Sequence, residues 1–396
     1  MSRKIFANLV MPISSAPIPN GYVEVDEEGT ILSIGQMTKE TESTEYYNGI
    51  LCPGFVNTHC HSELSYLKDK FKEGTGMAGF IDQINSLRDS TDKDARLLSI
   101  QTAMDTMYNA GVSGLGDISN GDESFEIKVK SPIYTRTFLE VFGSEPEDAD
   151  DVMKSVRKLE AKAKSMNLDA APTPHSPYTT SPILIEKVSA DALKEGYLSY
   201  HNQESKEEDD LLISDTGHLA ENYHRRKMSV PAGYGKAGIY FFMDKLLNIH
   251  KAPFNEHILL VHNTVTDEQA MDYVTSMCKN LYWVTCPLSN LFIHKMLAPL
   301  NLWKKKGLNI SIGTDSLSSN HVLSMIEELK CIQKHFPEIS LEDTLKWATL
   351  NGAKALGKED ILGSFEIGKK AGLVLINNID WHNIRLTNKS ESKRLI

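Results

Sequence analysis

Apolar residues along this chain fall in short runs separated by longer, charged stretches with helical periodicity. Over residues 1–52 the runs lie close together: Gly21-Tyr-Val-Glu-Val-Asp26 alternates apolar and polar, Glu28-Gly29 is turn sequence, and Thr30-Ile-Leu-Ser-Ile-Gly35 follows. This predicts a small β unit. Its first strand is the apolar stretch after Lys4, which is too short for a signal peptide, is interrupted by Asn8 and has no small-residue cleavage site. From Pro53 to about Gly357, strand-length runs at 54–57, 112–115, 133–138, 169–173, 196–200, 258–261, 281–285 and 309–312 alternate with helical segments. Eight strands over about 300 residues predict an α/β fold, a (β/α)₈ TIM-like barrel over residues 53–357, better than a doubly wound open sheet. Beyond it, Ser364-Phe-Glu-Ile-Gly-Lys-Lys-Ala-Gly-Leu-Val-Leu-Ile-Asn377 reads as a turn entering another strand. Neither end could bury its apolar face alone, so residues 1–52 plus 358–396 are expected to form one discontinuous β-sandwich domain.

Composition narrows the function classes. The 396 residues are 41% hydrophobic and 24% charged, as in an ordinary globular protein. Against 53 acidic residues stand 42 basic ones, a net charge of -11 that repels a phosphate backbone and argues against nucleic acid as a partner. No apolar run approaches the roughly 18 residues needed to span a bilayer, so no membrane role is expected. The five cysteines (Cys52, Cys60, Cys278, Cys286 and Cys331) are scattered without a C-x-x-C pair, which fits a reducing cytoplasm. The oligomer expected on general grounds is a homodimer. The densest charge run, Lys206-Glu-Glu-Asp-Asp210, reads as a solvated helix start, and Gly74-Thr-Gly-Met-Ala-Gly-Phe-Ile81 as a loop entering a helix.

The candidate chemistry collects at the carboxyl ends of the expected strands, where barrel enzymes build their sites. Strand one ends in His59-Cys60-His61, strand five in His201 with Glu204 three residues on, strand six in His262, and strand eight in Gly313-Thr-Asp315-Ser. In an extended segment His59 and His61 point to the same side and can share one metal ion, while Cys60 faces away. With His201 and Asp315 they make three nitrogen donors and a carboxylate, a set suited to one divalent ion, Zn²⁺ or Fe²⁺, with room for a water. His175, at the end of strand four, faces the same rim. Glu63, two residues past the metal motif, could hydrogen-bond a ring edge or a hydroxyl of a ligand, or equally serve as a helix N-terminal carboxylate. Ser289 and Asn290 could line the pocket, while Arg136 and Glu140 read as pairing with neighbours.

Pro53-Gly-Phe-Val-Asn-Thr-His-Cys-His-Ser-Glu-Leu-Ser65, His201-Asn-Gln-Glu204, Leu260-Val-His262, Cys286-Pro-Leu-Ser-Asn290, Gly313-Thr-Asp315-Ser and the Gly363-Ser-Phe-Glu-Ile-Gly turn together resemble the amidohydrolase superfamily over nearly the whole chain. The order resembles the branch of cytosine, guanine and S-adenosylhomocysteine deaminases and triazine chlorohydrolases. The His-Ser-Glu-Leu-Ser run resembles the aminodeoxyfutalosine deaminases within it. Ser62 departs from the leucine of many relatives.

The resemblance implies His59, His61, His201 and Asp315 as metal ligands, Glu204 as proton shuttle, His262 as the residue orienting the water and His175 as a substrate contact. The expected strands between 133 and 175 offer no lysine to bridge a second ion, so one metal is implied. The implied activity is deamination of a purine-like or other heteroaromatic amine, favouring adenosine-type or aminodeoxyfutalosine substrates, by metal-activated water with release of ammonia. Glu204 would protonate the ring nitrogen, and Asp315 or His262 would accept the proton of the water. The same site could instead hydrolyse an amide, a cyclic ureide or a carbon–halogen bond, or a non-catalytic barrel could bind a small molecule without turnover.

Overall fold

Every run read as a barrel strand forms one in the computed structural model, which describes residues 2–37, 44–229 and 233–396. The chain opens with β1 (Arg3–Val10), β2 (Ile18–Val25), β3 (Ile31–Gln36) and β4 (Thr44–Pro53). Next come β5 (Phe55–Cys60), β6 (Val112–Ser119), β7 (Tyr134–Val141) and β8 (Asp169–Pro174), paired in parallel in that order. A second parallel sheet holds β9 (Tyr197–Asn202), β10 (Phe254–His262), β11 (Cys278–Thr285) and β12 (Ile310–Ile312). Both sides of these sheets are covered, so β5 and β6 are buried at every residue and read as continuous rather than alternating runs.

The two parallel sheets meet along both edges. At one seam the His201 N–H donates to the His175 carbonyl at 3.0 Å. At the other, the His59 carbonyl accepts from both Thr314 N–H and Asp315 N–H at 3.0 Å, and Cys60 and Asp315 form a parallel bridge. Gly313 permits this approach, since a Cβ there would lie 2.7 Å from the His59 Cβ and 2.8 Å from its carbonyl oxygen.

Strands from both chain ends pair in one six-stranded sheet, ordered β16-β13-β4-β1-β2-β3, where β13 is Leu373–Ile376 and β16 is Ser392–Arg394. Between them a short antiparallel ladder joins β14 (Ile379–Asp380) and β15 (Arg385–Leu386). The expected sandwich is therefore, among the described residues, a single sheet. Its apolar side chains Ile5, Ala7, Val23, Val25 and Leu51 cluster with Phe365 and Ala371 of the preceding loop, so a loop supplies the cover that a second sheet was expected to give. Among the described residues no helix is long and apolar enough to cross a membrane.

The terminal sheet is fastened to the parallel sheets by Arg394. Its guanidinium donates to the Tyr108 carbonyl (2.8 Å), the Val112 carbonyl (2.7 Å) and Ser113 Oγ (2.9 Å), and lies 4.2 Å from the Tyr108 ring centroid. Arg394→Ala leaves these acceptors without their donor, and is expected to lower the unfolding free energy measured in urea by about 2–4 kcal/mol. A loss under about 0.5 kcal/mol would show that the terminal sheet is held by something else.

Candidate metal centre and active site

The sequence-predicted donors converge. His59 lies within β5 and His61 one residue past it, with their Nε2 atoms 3.2 Å apart. Asp315 Oδ1 is 3.8 Å from His59 Nε2 and 3.5 Å from His61 Nε2. The His201 ring centroid lies 4.7 Å from that of His59 and 5.5 Å from that of His61. Donor atoms of His59, His61 and Asp315, and of His59, His201 and His262, all lie within 4.8 Å of one another in each group.

This donor set fits a cation. Burial, then the neighbouring His201 and His61, pushes the His59 imidazole well below its ordinary range, and burial, then His175, holds His201 down to about 3. The rings are therefore neutral and present lone pairs. His59 Nε2 and His61 Nε2 face one another at 3.2 Å, with Asp315 Oδ1 within 3.8 Å of both. Buried polar atoms crowded together in this way need a shared partner, and a divalent ion among these nitrogens and the carboxylate would supply it. The far oxygen of Asp315 is fixed by the hydroxyls of Ser289 (2.6 Å) and Ser319 (2.8 Å), which aims Oδ1 at the imidazoles.

Glu204 stands beside the donors. Its Oε1 lies 3.7 Å from His262 Nε2 and 3.3 Å from His294 Nε2, and its Oε2 accepts from the Tyr178 hydroxyl at 3.1 Å. Burial pushes its carboxyl up, but His262 and His294 outweigh burial and hold it below the usual carboxylate range. His262 Nδ1 lies 2.9 Å from Asn290 Nδ2, which turns the ring so that Nε2 faces Glu204. Gln203 (φ 42°), His262 (φ 74°), Asn263 (φ 52°) and Asp315 (φ 57°) all take left-handed backbone conformations, the strain expected where side chains must be aimed.

A cavity of about 360 Å³ opens onto this cluster. Its floor holds His61, His175, His201, Glu204, His262 and Asp315. Its walls come largely from α1 (Gly76–Leu87), through Met77, Phe80, Ile81 and Ile84, and from the helix Gly217–Arg226, through Leu219 and Tyr223. His175 is held at Nδ1 by Ser176 Oγ (2.8 Å) and Thr179 Oγ1 (2.6 Å), with its ring 4.4 Å from that of His201.

Two of the sequence-predicted contacts are not brought to the cavity. Glu63 accepts from Asn120 N–H (2.9 Å) and Ser124 Oγ (2.9 Å), so both its oxygens are committed to the loop after β6. Asn290 sits behind His262 rather than on the lining.

Other residues gain their place only from the fold. His294 follows Asn290 by one helical turn on the helix Pro287–His294, a spacing that puts both on one face. Glu140, expected merely to pair, lines the cavity with Oε1 3.7 Å from His201 Nδ1. The charge run 206–210 is not simply solvated: Glu208 is fully buried and accepts from Gln203 N–H (2.9 Å) and Glu204 N–H (3.2 Å).

Comparison with known proteins agrees with this geometry. The amidohydrolase family profile matches residues 50–393. An adenosine deaminase of Helicobacter pylori is 29% identical over 341 residues, covering 83% of this chain and 79% of that protein. An aminodeoxyfutalosine deaminase of a Nitratiruptor species is 29% identical over 339 residues, covering 83% and 79%. The crystal structure of Helicobacter pylori aminofutalosine deaminase in complex with methylthio-coformycin superposes with a TM-score of 0.82 at 25% identity, covering 100% of both chains.

The depressed imidazoles set a pH dependence for the metal-free chain. Burial is the first cause of the low values of both His175 and His201, each held down to about 3 from an ordinary 6.5. Both are neutral when folded and take up protons on unfolding below 6.5, so their contribution is present above 6.5 and is lost as pH falls toward 3. Urea midpoints of chelator-treated protein are expected to fall through that window, and His175→Gln to make the fall shallower. An equal slope in the variant would mean that His175 is protonated in the fold.

Proposed function

As the chain belongs to the amidohydrolase family, we propose that it deaminates an adenosine-type substrate, adenosine itself or a 5′-modified relative such as aminodeoxyfutalosine, releasing ammonia. It is a metal-dependent hydrolase of C–N bonds, and the deaminase names of its relatives support the reaction. The observation that carries the reading is an ionised Glu204, held by Tyr178, beside His262 and the donor cluster at the floor of the cavity.

His59, His61, His201 and Asp315 would hold one divalent ion, and the nitrogen-rich set favours zinc. When bound, such an ion lowers the pKa of water toward about 7 and so makes hydroxide available at neutral pH. The remaining steps belong to the chain. Glu204, ionised before substrate arrives, takes a proton from the attacking water and delivers it to the ring nitrogen beside the amine-bearing carbon. Water oxygen bonds to that carbon, the second proton of the added hydroxyl passes to the amine nitrogen, the carbon–nitrogen bond breaks, and ammonia leaves while the oxygen stays as the ring carbonyl. His262 turns its Nε2 toward Glu204 and holds the carboxylate and the water in register, while His175 and Glu140 face the purine edge. The apolar wall from α1 excludes water from the ribose side.

The same reading covers the fold. The hydrogen bonds at both seams support closure of the two parallel sheets into a (β/α)₈ barrel of residues 53–357, with 1–52 and 358–396 as a discontinuous β domain attached to it.

Ammonia release from zinc-loaded protein is expected for at least one of adenosine, 5′-deoxyadenosine, 5′-methylthioadenosine, S-adenosylhomocysteine and aminodeoxyfutalosine. Glu204→Gln is expected to keep the metal and lose about 10²- to 10⁴-fold in kcat. A fully loaded protein silent toward every one of these aminopurines would overturn the reading and favour amide, ureide or carbon–halogen hydrolysis.

A further inference from the structure

Of the donors, His61 has the weakest main-chain support. His59 is inside β5, whereas His61 lies one residue beyond it, with φ −116° and ψ 77°, and its N–H reaches the Asp315 carbonyl only at 3.5 Å. The next peptide is gripped more firmly. Asp117, in β6, accepts the Ser62 N–H at Oδ1 (2.9 Å) and the Ser62 hydroxyl at Oδ2 (2.6 Å). Lys128, on the short helix Phe125–Lys130, places Nζ 2.7 Å from Asp117 Oδ2, 2.7 Å from Ser119 Oγ and 3.4 Å from Thr137 Oγ1, so each of its three N–H groups has an acceptor.

The Asp117 and Lys128 side chains are wholly buried, and neither lines the cavity. The network then closes on itself: Ser119 Oγ lies 3.0 Å from Ser124 Oγ, which donates to Glu63, the residue after Ser62.

A buried ion pair brings little net stability over apolar side chains of the same volume, so stability alone does not account for this one. Geometry does, because an ammonium with three fixed acceptors orients the carboxylate, and the carboxylate fixes the peptide. We propose that Asp117 and Lys128 form a buried clamp on Ser62 that holds the His61 backbone in register and thereby sets the metal affinity of the site. Asp117, Lys128 and Ser62 are positioning residues, acting through His61. The proposal rests on the metal-site reading above.

The test is titration of the metal-free full chain with Co²⁺, following both affinity and the cobalt d–d absorption band. Ser62→Ala removes one hydroxyl without leaving a charge unpaired. The double variant Asp117→Asn with Lys128→Met removes both charges at similar volume. Each is expected to bind Co²⁺ about ten- to a hundredfold more weakly with an altered band. The melting temperature of metal-free Ser62→Ala should stay within about 2 °C of the reference chain. Combining all three substitutions should weaken binding little beyond the double variant, since the residues act as one unit.

Ser62→Ala with affinity within twofold and an unchanged band overturns the proposal, and this variant decides alone if the double variant does not fold. A reference chain that takes up no Co²⁺ overturns the metal-site reading and the clamp with it, and is seen before any variant is made.

Discussion

One carbonyl organises the site. The oxygen of His59 receives the N–H groups of both Thr314 and Asp315, joining the first and last strands of the parallel sheets. That contact brings a donor from one end of the domain to within 3.5–3.8 Å of two from the other, and closing so long a loop is costly unless the seam is strongly specified. The specification is local and steric. Any side chain at 313 would strike His59, and the next residues must turn through the left-handed conformation of Asp315 to aim its carboxylate back at the imidazoles.

A second pattern recurs around the rim: buried carboxylates that accept backbone or amide N–H groups of the functional loops. Asp117 holds Ser62 after β5, Glu208 holds Gln203 and Glu204 after β9, and Glu328 holds Leu288 N–H (2.9 Å) after β11 and Asn320 Nδ2 (3.0 Å) after β12. Loops at strand ends have lost their ladder partners, and a buried carboxylate is the strongest acceptor a side chain can supply there. Burial pushes the Glu208 and Glu328 carboxyls upward, and the N–H groups they accept oppose that push.

These clamps mark the boundary of what was legible in the sequence. Strand positions, and the meeting of His59, His61, His201, Glu204 and Asp315 at one place, were readable because strand ends and residue types carry their own local signal. Glu63, left open between a ligand contact and a helix N-terminal carboxylate, and Asn290, expected on the pocket lining, each turn to a partner that only the fold supplies: the loop after β6 for Glu63, and the back of His262 for Asn290. The acidic run 206–210 looked solvated because its composition is that of a surface helix start, yet Glu207 and Asp209 accept N–H groups of distant segments and Glu208 those of the loop just before it. Ser62 is the clearest case. In the sequence it is a departure from the leucine of many relatives, and beside Asp117 and Lys128 it becomes a hydrogen-bonding residue with a defined partner.

Glu207 extends the same logic to the wall of the cavity. Its two oxygens accept from Met77 N–H and Ala78 N–H at 3.0 Å, capping α1 from the first turn of the helix Lys206–Ser214, three residues after Glu204. Without it the first N–H groups of α1 would lack acceptors, since Thr75 makes no side-chain cap. A carboxylate at that terminus also opposes the positive end of the helix dipole. The apolar face of Met77, Phe80 and Ile81 is thereby fastened to the segment that carries Glu204. The wall of the cavity and the carboxylate on its floor are thus coupled through two hydrogen bonds, and α1 cannot leave the cavity without breaking them.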